Sequence, residues 1–446
     1  MRPAQTSTVF VIVALALALA LGLAVGQVGV LAVVALVGLA IAAGAFVDLR
    51  ITLLAIVPAM VLLPELPLSV PVRTEDVLMM PLAGAWLARL ALGYERWPST
   101  PLNAPLFSLI VVELAAMLWG AFRGTAGFSL QLYSSGFFFL KTVEVTLLYF
   151  IVVSTIRTKQ DVRLFATVFC AAAAALGVWG IVENSVRGVG QAIIGPTGHG
   201  GYSLLGLTFV VLLATLASLF LTQRSRPVRV LLVLAALPVA YSLVFTLSRQ
   251  SYVGAVAAAA VLVWVHDRRS IIPAVALGLA LPLLVPDIVQ ERALSIVAAV
   301  PDPLSGVSAY ATRLHALQQR IPEVIGGSLL FGFGPASLPP GFLDNQYLLT
   351  FYYTGFIGLG VFLWLLWRAA TTAYRSFRDL QGGLKGLGLA WFSATIGLTL
   401  AGLAGSPFVA VRVREVYWFL AAMAVAATLL PRPTEESVET VEEARV

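Results

Sequence analysis

The chain has 446 residues, of which 59% are hydrophobic and 11% are charged, and its mean hydropathy is +0.94. Soluble globular proteins carry charge on about a quarter of their residues, so this composition excludes a water-soluble fold and predicts an all-α polytopic membrane protein. The net charge of +6 comes from 28 basic and 22 acidic residues scattered between apolar runs. Because no basic patch with interleaved aromatic residues occurs, nucleic acid is not expected as a partner.

The residues that most often bind metals are few and far apart. Cys170 is the only cysteine, which excludes an intrachain disulfide and a thiolate cluster. The three histidines, His199, His266 and His315, do not show the spacing of a metal site. We therefore expect neither a metal nor a cofactor.

Apolar runs of about 17–25 residues, long enough to cross a bilayer core of about 30 Å, recur along the chain. The first run could also be a signal peptide, since it follows Met1-Arg2, but a second run begins almost at once and favours a retained span. We expect one helical domain over residues 1–431 and an acidic, disordered tail over 432–446. The fourteen runs are 8–25, 28–46, 51–66, 76–92, 104–121, 136–156, 162–183, 202–222, 228–247, 251–266, 271–286, 347–367, 383–404 and 415–431.

Lys and Arg in the short connections set the expected orientation in the membrane. With a cytoplasmic N-terminus, the inner connections receive most of the basic residues, including Arg50, Arg157 and the arginines of 224–229. Both termini are then cytoplasmic, and the longest break in the apolar pattern, residues 287–345, is extracytoplasmic. Loops held by a rigid scaffold often carry binding and catalytic residues, so we expect the function there.

Several arginines lie on the outer side, against this charge rule. Arg249 is the sharpest case, because it stands between two apolar runs with few polar neighbours, and a charge near the bilayer centre costs about 2.5–3.5 kcal/mol or more. A single arginine of this kind can reach lipid phosphates. Together, Arg187, Arg249 and Arg313 favour an anionic ligand, because guanidinium offers phosphate a planar fork of donors.

Two other charged positions in apolar runs are assigned to structure. Lys141 lies one turn before Glu144, a spacing that predicts an ion pair. Glu113, in the middle of a run, is either a proton-relay carboxylate or a partner within the helix bundle, and we favour the partner.

Three polar or glycine-rich patterns share the outer side. Residues 195–201 (Gly-Pro-Thr-Gly-His-Gly-Gly) lead directly into a span, and residues 246–251 form a polar turn between two others. The third pattern is the Gly-Phe-Gly-Pro of 332–335, followed by Asp344-Asn345 at the start of the next span and by Gly355 within it. Glycine lets backbone approach a ligand closely, so these segments are candidate parts of one site.

With these patterns, the arginine at Arg313 and the signature Asp344-Asn345-Gln346-Tyr347-Leu348, the chain resembles the superfamily of O-antigen ligases and O-antigen or polysaccharide polymerases over roughly residues 137–430. The resemblance implies a GT-C-like bundle of about 12–14 transmembrane helices with a large extracytoplasmic loop that contains short helices. It also implies a metal-independent glycosyltransferase of the cytoplasmic membrane. Its donor would be a polyprenyl-diphosphate-linked oligosaccharide, and its acceptor a glycan or lipid A-core.

The resemblance assigns Arg187, Arg249 and Arg313 to the donor diphosphate. We expect Asp344, Arg249 and Arg313 to be catalytic, with Asp344 orienting or deprotonating the acceptor hydroxyl during an inverting transfer. Asn345 could instead cap the following helix, and Tyr347 could belong to an interfacial aromatic belt. The expected substrate-binding residues are Arg187, His199, Ser248, Arg320, Asn345 and Tyr347.

Two alternatives remain. Ligases of this superfamily usually have a histidine before the asparagine of the signature, and the aspartate at Asp344 favours a polymerase over a ligase. A transporter of a lipid-linked glycan or small anion is the alternative from another class. It is disfavoured because the two halves of the sequence show no convincing repeat.

Overall fold

The computed structural model describes residues 43–63, 73–123, 128–188, 191–196, 201–266, 286–294, 309–335, 337 and 344–431. Within these ranges the elements of eight residues or more are all α-helices, which confirms the predicted all-α class. They are α1 (Leu49–Leu62), α2 (Thr74–Ala91), α3 (Asn103–Arg123), α4 (Phe128–Thr155), α5 (Lys159–Arg187), α6 (Gly201–Thr222), α7 (Arg226–Phe245), α8 (Arg249–His266), α9 (Asp287–Leu294), α10 (Ala309–Gly327), α11 (Gln346–Asp379), α12 (Lys385–Ala401) and α13 (Val411–Leu429).

Seven helical segments of the described part are long and apolar enough to cross a membrane. They are α3, Ser135–Thr155 of α4, α5, α6, α7, α11 and Gly382–Ala401, which joins a short 3-10 helix to α12. Shorter or more charged helices, α1, α2, α8 and α13, occupy four other predicted runs. The predicted run 8–25, residues 271–285 of the run 271–286, most of 28–46 and the acidic tail 432–446 lie outside the described residues.

Helix α11 is longer than the apolar run that predicted it. It has 34 residues and ends at Asp379, whereas the run ends near residue 367. The extension carries Arg368, Arg375 and Arg378, so the polar sequence continues the same helix rather than ending it. Hydrophobicity marks where a helix can enter a bilayer, and the backbone hydrogen bonds of a helix do not stop at that boundary.

Helix α13 has the largest buried share among the described helices, since 17 of its 19 residues, from Val411 to Ala427, are buried. Its neighbours include α4, α6, α11 and α12. The second half is rich in alanine, which allows other helices to approach closely as in membrane helix packing. The first turn, in contrast, brings Arg412, Arg414 and Glu415 into the same interior.

Helix α11 is broken at Gly355, whose φ of 65° and ψ of −162° are not helical. The segment 328–335 packs into this break. The N–H groups of Phe333 and Gly334 donate to the carbonyls of Tyr352 and Tyr353, both at 2.9 Å, and the N–H of Phe356 donates to Leu329 at 2.8 Å. A break in a helix leaves backbone groups without their helical partners, and the 328–335 segment supplies partners here.

Candidate functional site

The predicted polar turn lies between α7, which ends at Phe245, and α8, which begins at Arg249. Leu247 has a φ of 53°, a left-handed conformation that costs a non-glycine residue about 1–2 kcal/mol. This conformation is functionally suggestive, because strained backbone concentrates at binding and catalytic sites. Its carbonyl oxygen accepts a hydrogen bond of 2.9 Å from Nε of Arg292. The turn therefore joins the start of α8 to α9.

Arg292 is a fully buried arginine on α9, with only 2% of its surface exposed. Besides Leu247, its guanidinium contacts Tyr202 at the start of α6: Nη2 donates to the phenol oxygen at 3.2 Å, and the guanidinium carbon lies 5.8 Å from the ring centre. Three elements distant in sequence thus meet at one guanidinium.

Arg249 and Arg292 form a cationic pair. Burial lowers the pKa of Arg292, and the positive charge of Arg249 nearby lowers it further. Arg249 is the first residue of α8, so the partial positive charge of that helix N-terminus adds to the two guanidinium groups. Such an arrangement favours an oxyanion over any cationic or neutral ligand.

Other predicted ligand residues of this region have local structural contacts. Arg187 forms an ion pair of 2.9 Å with Glu183, one turn earlier in α5, and Glu183 also accepts hydrogen bonds from the N–H groups of Ile194 and Gly195. Ser248 is fully buried, and its hydroxyl lies 2.7 Å from that of Ser251. His199 lies outside the described residues. Roles for all three in substrate binding stay predictions.

The Asp344-Asn345 pair stands immediately before α11. Asp344 is exposed, and Asn345 caps the helix, since its Oδ1 accepts from the N–H groups of Tyr347 and Leu348 at 3.0 Å. Tyr347 donates its hydroxyl to the carbonyl of Thr399 at 2.6 Å. The capping alternative for Asn345 is therefore present, and Asp344 is the member of the pair on the surface.

Helix α10 carries the two remaining predicted residues. Position 313 lies in its first half, and the side chain of Arg313 is outside the described part. Arg320 forms an ion pair of 2.6 Å with Glu323, and Glu323 accepts a hydrogen bond of 3.0 Å from the hydroxyl of Tyr352. Arg320 is thereby tied to the segment of α11 that precedes the break.

A second group of charged side chains is buried between α2, α3, α4 and α13. We call it the ionic network, and its members are Arg73, Glu75, Asp76, Glu113, Lys141, Glu144, Arg412, Arg414 and Glu415. The predicted ion pair of Lys141 with Glu144 is confirmed at 2.8 Å, and Lys141 also binds Asp76. The alternation of sign explains why charges persist in an otherwise apolar interior.

Looser contacts connect the rest of the ionic network. Arg73 lies 3.7 Å from Glu75 and 3.9 Å from Glu415, and Arg412 lies 3.9 Å from Glu75. Arg414 donates to the hydroxyl of Thr142 at 3.0 Å. Arg73, just before α2, and Arg412 of α13 therefore lie close to the acidic groups of α2 and α13.

Three carboxylates of the ionic network, Asp76, Glu144 and Glu415, bring oxygen atoms within 4.8 Å of one another, a spacing compatible with a bound cation. Lys141 bonds two of the three through its ammonium group. The ammonium group of Lys141 therefore occupies the position of a cation between these carboxylates, and a metal ion would have to displace that ammonium group.

Sequence reasoning assigned no function to Arg292, Tyr202 or Arg414. Arg292 stood among the charges of the 287–345 break, and its burial was the missing information. Tyr202 directly follows the glycine-rich segment 195–201, so this motif lies next in sequence to a residue that contacts Arg292. Arg414 was visible only as an outer arginine at a span end.

No protein-family model matches the chain, and no curated protein is significantly similar to it. The resemblance to O-antigen ligases and polymerases therefore rests on the short motifs, and functional argument rests on the site geometry.

Proposed function

We propose that the protein is a metal-independent inverting glycosyltransferase that acts on the outer face of the cytoplasmic membrane, with both termini cytoplasmic. Its donor is a glycan linked to polyprenyl diphosphate, and its reaction is the polymerisation of polysaccharide or O-antigen repeat units. Seven apolar helices support a membrane location, and the motifs of the outer segments support the reaction class.

The observation that carries the proposal is the Arg249–Arg292 pair. Arg249 at the start of α8 acts electrostatically on the buried Arg292, and an anion beside the two guanidinium groups is stabilised by both of them and by the helix N-terminus. The leaving group of the proposed reaction, a diphosphate, is such an anion. Charge that builds on it during bond cleavage is stabilised by fixed donors that need no reorganisation.

In the proposed reaction, an acceptor hydroxyl oxygen attacks the anomeric carbon from the side opposite the diphosphate. The new glycosidic C–O bond forms as the C–O bond to the diphosphate breaks, and the bonding electrons leave with the diphosphate. Asp344, exposed at the N-terminal end of α11, accepts the hydroxyl proton. One inversion at the anomeric carbon follows.

The acceptor separates polymerisation from ligation. A polymerase uses the end of another repeat unit, and a ligase uses lipid A-core or another acceptor. The aspartate at position 344, where related ligases usually have histidine, favours the polymerase. Both reactions share the donor, the leaving group and the arginine pair.

The break in α11 is a feature that transporters also use, because discontinuous helices can form ion and substrate sites. Here the segment 328–335 already occupies the backbone groups around Gly355 through hydrogen bonds of 2.8–3.3 Å. This packing favours a fixed scaffold over a rocking element.

The decisive experiment incubates purified protein with polyprenyl-diphosphate oligosaccharide and measures released polyprenyl diphosphate and product length. A second repeat unit and lipid A-core are supplied in parallel as acceptors. We expect longer glycans with the repeat unit. Transfer only to lipid A-core would establish the ligase, whereas no release with either acceptor would contradict the proposed function.

The variants Arg249→Ala and Asp344→Ala should abolish release while the protein remains folded. Arg375→Gln, an exposed arginine near the other end of α11, is the matched control for loss of a positive charge. Full activity of either site variant would overturn the site assignment.

A further inference from the structure

A cavity of about 80 Å³ lies between α3, α4, α11 and α13. Glu113, Thr142 and Arg414 line one part of it, and Leu106, Leu365 and other aliphatic side chains line another. Pro335, which ends the segment packed into the α11 break, and Gln346, two residues after Asp344, also reach it. The cavity therefore adjoins the candidate catalytic segment.

Arg414 lines this cavity with buried hydrogen-bond donors that lack acceptors among the described residues. The residue is 9% exposed, and Nη1 donates to the hydroxyl of Thr142 at 3.0 Å. Nε and Nη2 are buried and have no hydrogen-bond partner among the described residues. A buried N–H group that lacks a hydrogen-bond acceptor costs about 1–3 kcal/mol. These two N–H groups therefore favour a ligand or water molecules that supply oxygen acceptors.

The charge of the surroundings argues against an anion in this cavity. The ionic network around Arg414 contains four basic and five acidic side chains, and Glu113, one of the acidic ones, lines the cavity itself. Glu113 and Glu415 both act electrostatically on Arg414. A phosphate would meet several carboxylates, whereas a neutral molecule with hydroxyl groups can accept from the guanidinium and donate to Glu113.

The rest of the lining suits a sugar ring. Its aromatic members are Phe138, Tyr353, Phe362, Phe408, Tyr417 and Trp418. Aromatic rings beside a small number of placed polar groups are typical of small-ligand pockets, and the C–H faces of a pyranose pack well on such rings. The cavity volume of about 80 Å³ is well above the roughly 10–15 Å³ needed to hold one water molecule, so the cavity has room for a polar ligand.

We propose that this cavity binds one pyranose residue of the glycan substrate, with Arg414 and Glu113 as its hydrogen-bonding residues. The inference rests on the proposed function, because it assigns the diphosphate and one sugar residue of the donor to two different sites. The Arg249–Arg292 pair takes the diphosphate, and the Arg414 cavity takes an uncharged sugar close to Asp344.

The test uses full-length protein in detergent and two probes prepared from the native glycolipid. Mild acid hydrolysis gives the free oligosaccharide, and polyprenyl diphosphate without sugar is the second probe. Binding is measured by calorimetry or by saturation-transfer NMR. We expect the free oligosaccharide to bind wild-type protein at millimolar concentration or better.

Leu109→Trp fills the cavity without removing a charge, since Leu109 lines it from α3. Leu114→Trp, an exposed position on the same helix, is the matched control. We expect Leu109→Trp and Arg414→Gln to weaken oligosaccharide binding at least tenfold and Leu114→Trp to leave it unchanged. Polyprenyl diphosphate should bind all three as it binds wild type, and Arg249→Gln should show the reverse pattern.

Absence of oligosaccharide binding to wild type would mean a water-filled cavity and would overturn the inference, as would equal binding by wild type and Leu109→Trp. If Arg414→Gln fails to fold, Leu109→Trp still decides the question. If oligosaccharide binding is lost in Leu109→Trp while wild type transfers no glycan, the sugar site stands and the proposed function falls.

Discussion

Two regions of this protein bury arginine, and they do so in opposite ways. In the ionic network, arginines and one lysine alternate with carboxylates at 2.8–3.9 Å, so the charges compensate one another. In the Arg249–Arg292 pair, two cations lie near each other beside tyrosine hydroxyl groups and a backbone carbonyl. The comparison teaches that burial of charge does not by itself indicate a ligand; the sign of the neighbours does.

The difference has an energetic basis. A buried salt bridge contributes little net stability, but a mutation that removes one partner leaves the other charge uncompensated in a low-dielectric interior. Two guanidinium groups near each other favour an anion over a cation as a further neighbour. Apart from Glu113 and Arg414, which line the proposed sugar cavity, the network is therefore expected to respond to mutation as structure, and the arginine pair as a binding site.

The largest expected effect is in the network. Lys141→Met would leave Asp76 and Glu144 buried without their cation and should destabilise the protein by about 3–5 kcal/mol. Thermal unfolding in detergent measures the change, and Lys159→Met, at an exposed lysine on α5, is the control. Equal unfolding temperatures for the two variants would contradict a structural role of the network.

Arg292→Gln should act on catalysis rather than on folding. It removes one fixed donor from the proposed diphosphate site, and losses of this kind lower turnover about 10²–10³-fold. Release of polyprenyl diphosphate measures the effect, with Arg375→Gln as the charge control. A variant with normal turnover and a strongly lowered unfolding temperature would place Arg292 with the network arginines as a structural residue.

Gly355→Ala tests the joint between α11 and segment 328–335. An added Cβ would fall on the backbone of Leu330 and Phe331, and the φ of 65° is unfavourable for alanine, so we expect a loss of about 1–3 kcal/mol. Gly360→Ala, five residues further along α11 with open space around it, should be neutral or stabilising. Similar unfolding temperatures for both would show that the break does not constrain the fold.

The smallest expected effect concerns Asn345. Asn345→Ala removes the cap of α11 and should destabilise the protein by about 1 kcal/mol, whereas Asn345→Ser retains a capping oxygen and should be close to wild type. If Asn345 also contacts sugar, both variants will lower transfer beyond the change in stability. If Asn345→Ser transfers glycan at the wild-type rate, the role of Asn345 is limited to capping α11.

Much of the fold was predictable because apolar run length is a local property. Helices α3, α6 and α8 begin within two residues of their predicted runs. The Lys141–Glu144 pair was also predictable, since residues three apart on a helix are neighbours. The contact of Lys141 with Asp76 was not, because 65 residues separate them and only helix packing brings them together.

The candidate site was predictable in its motifs but not in its grouping. The Ser248-Arg249 turn was found from sequence, yet Arg292 joined it only through the left-handed Leu247 and the placement of α9. Gly332 and Gly355 were found as separate glycines in one pattern. Their mutual contact depends on backbone hydrogen bonds, which leave no signature in side-chain chemistry.

The junction of segment 328–335 with α11 has a consequence for how this sequence can vary. Its hydrogen bonds run from backbone to backbone, so the identities of Leu329, Leu330 and Phe333 do not define them. The hydrogen bonds of this joint therefore tolerate other side chains at 329 and 330, provided that glycine is kept at 332 and 355.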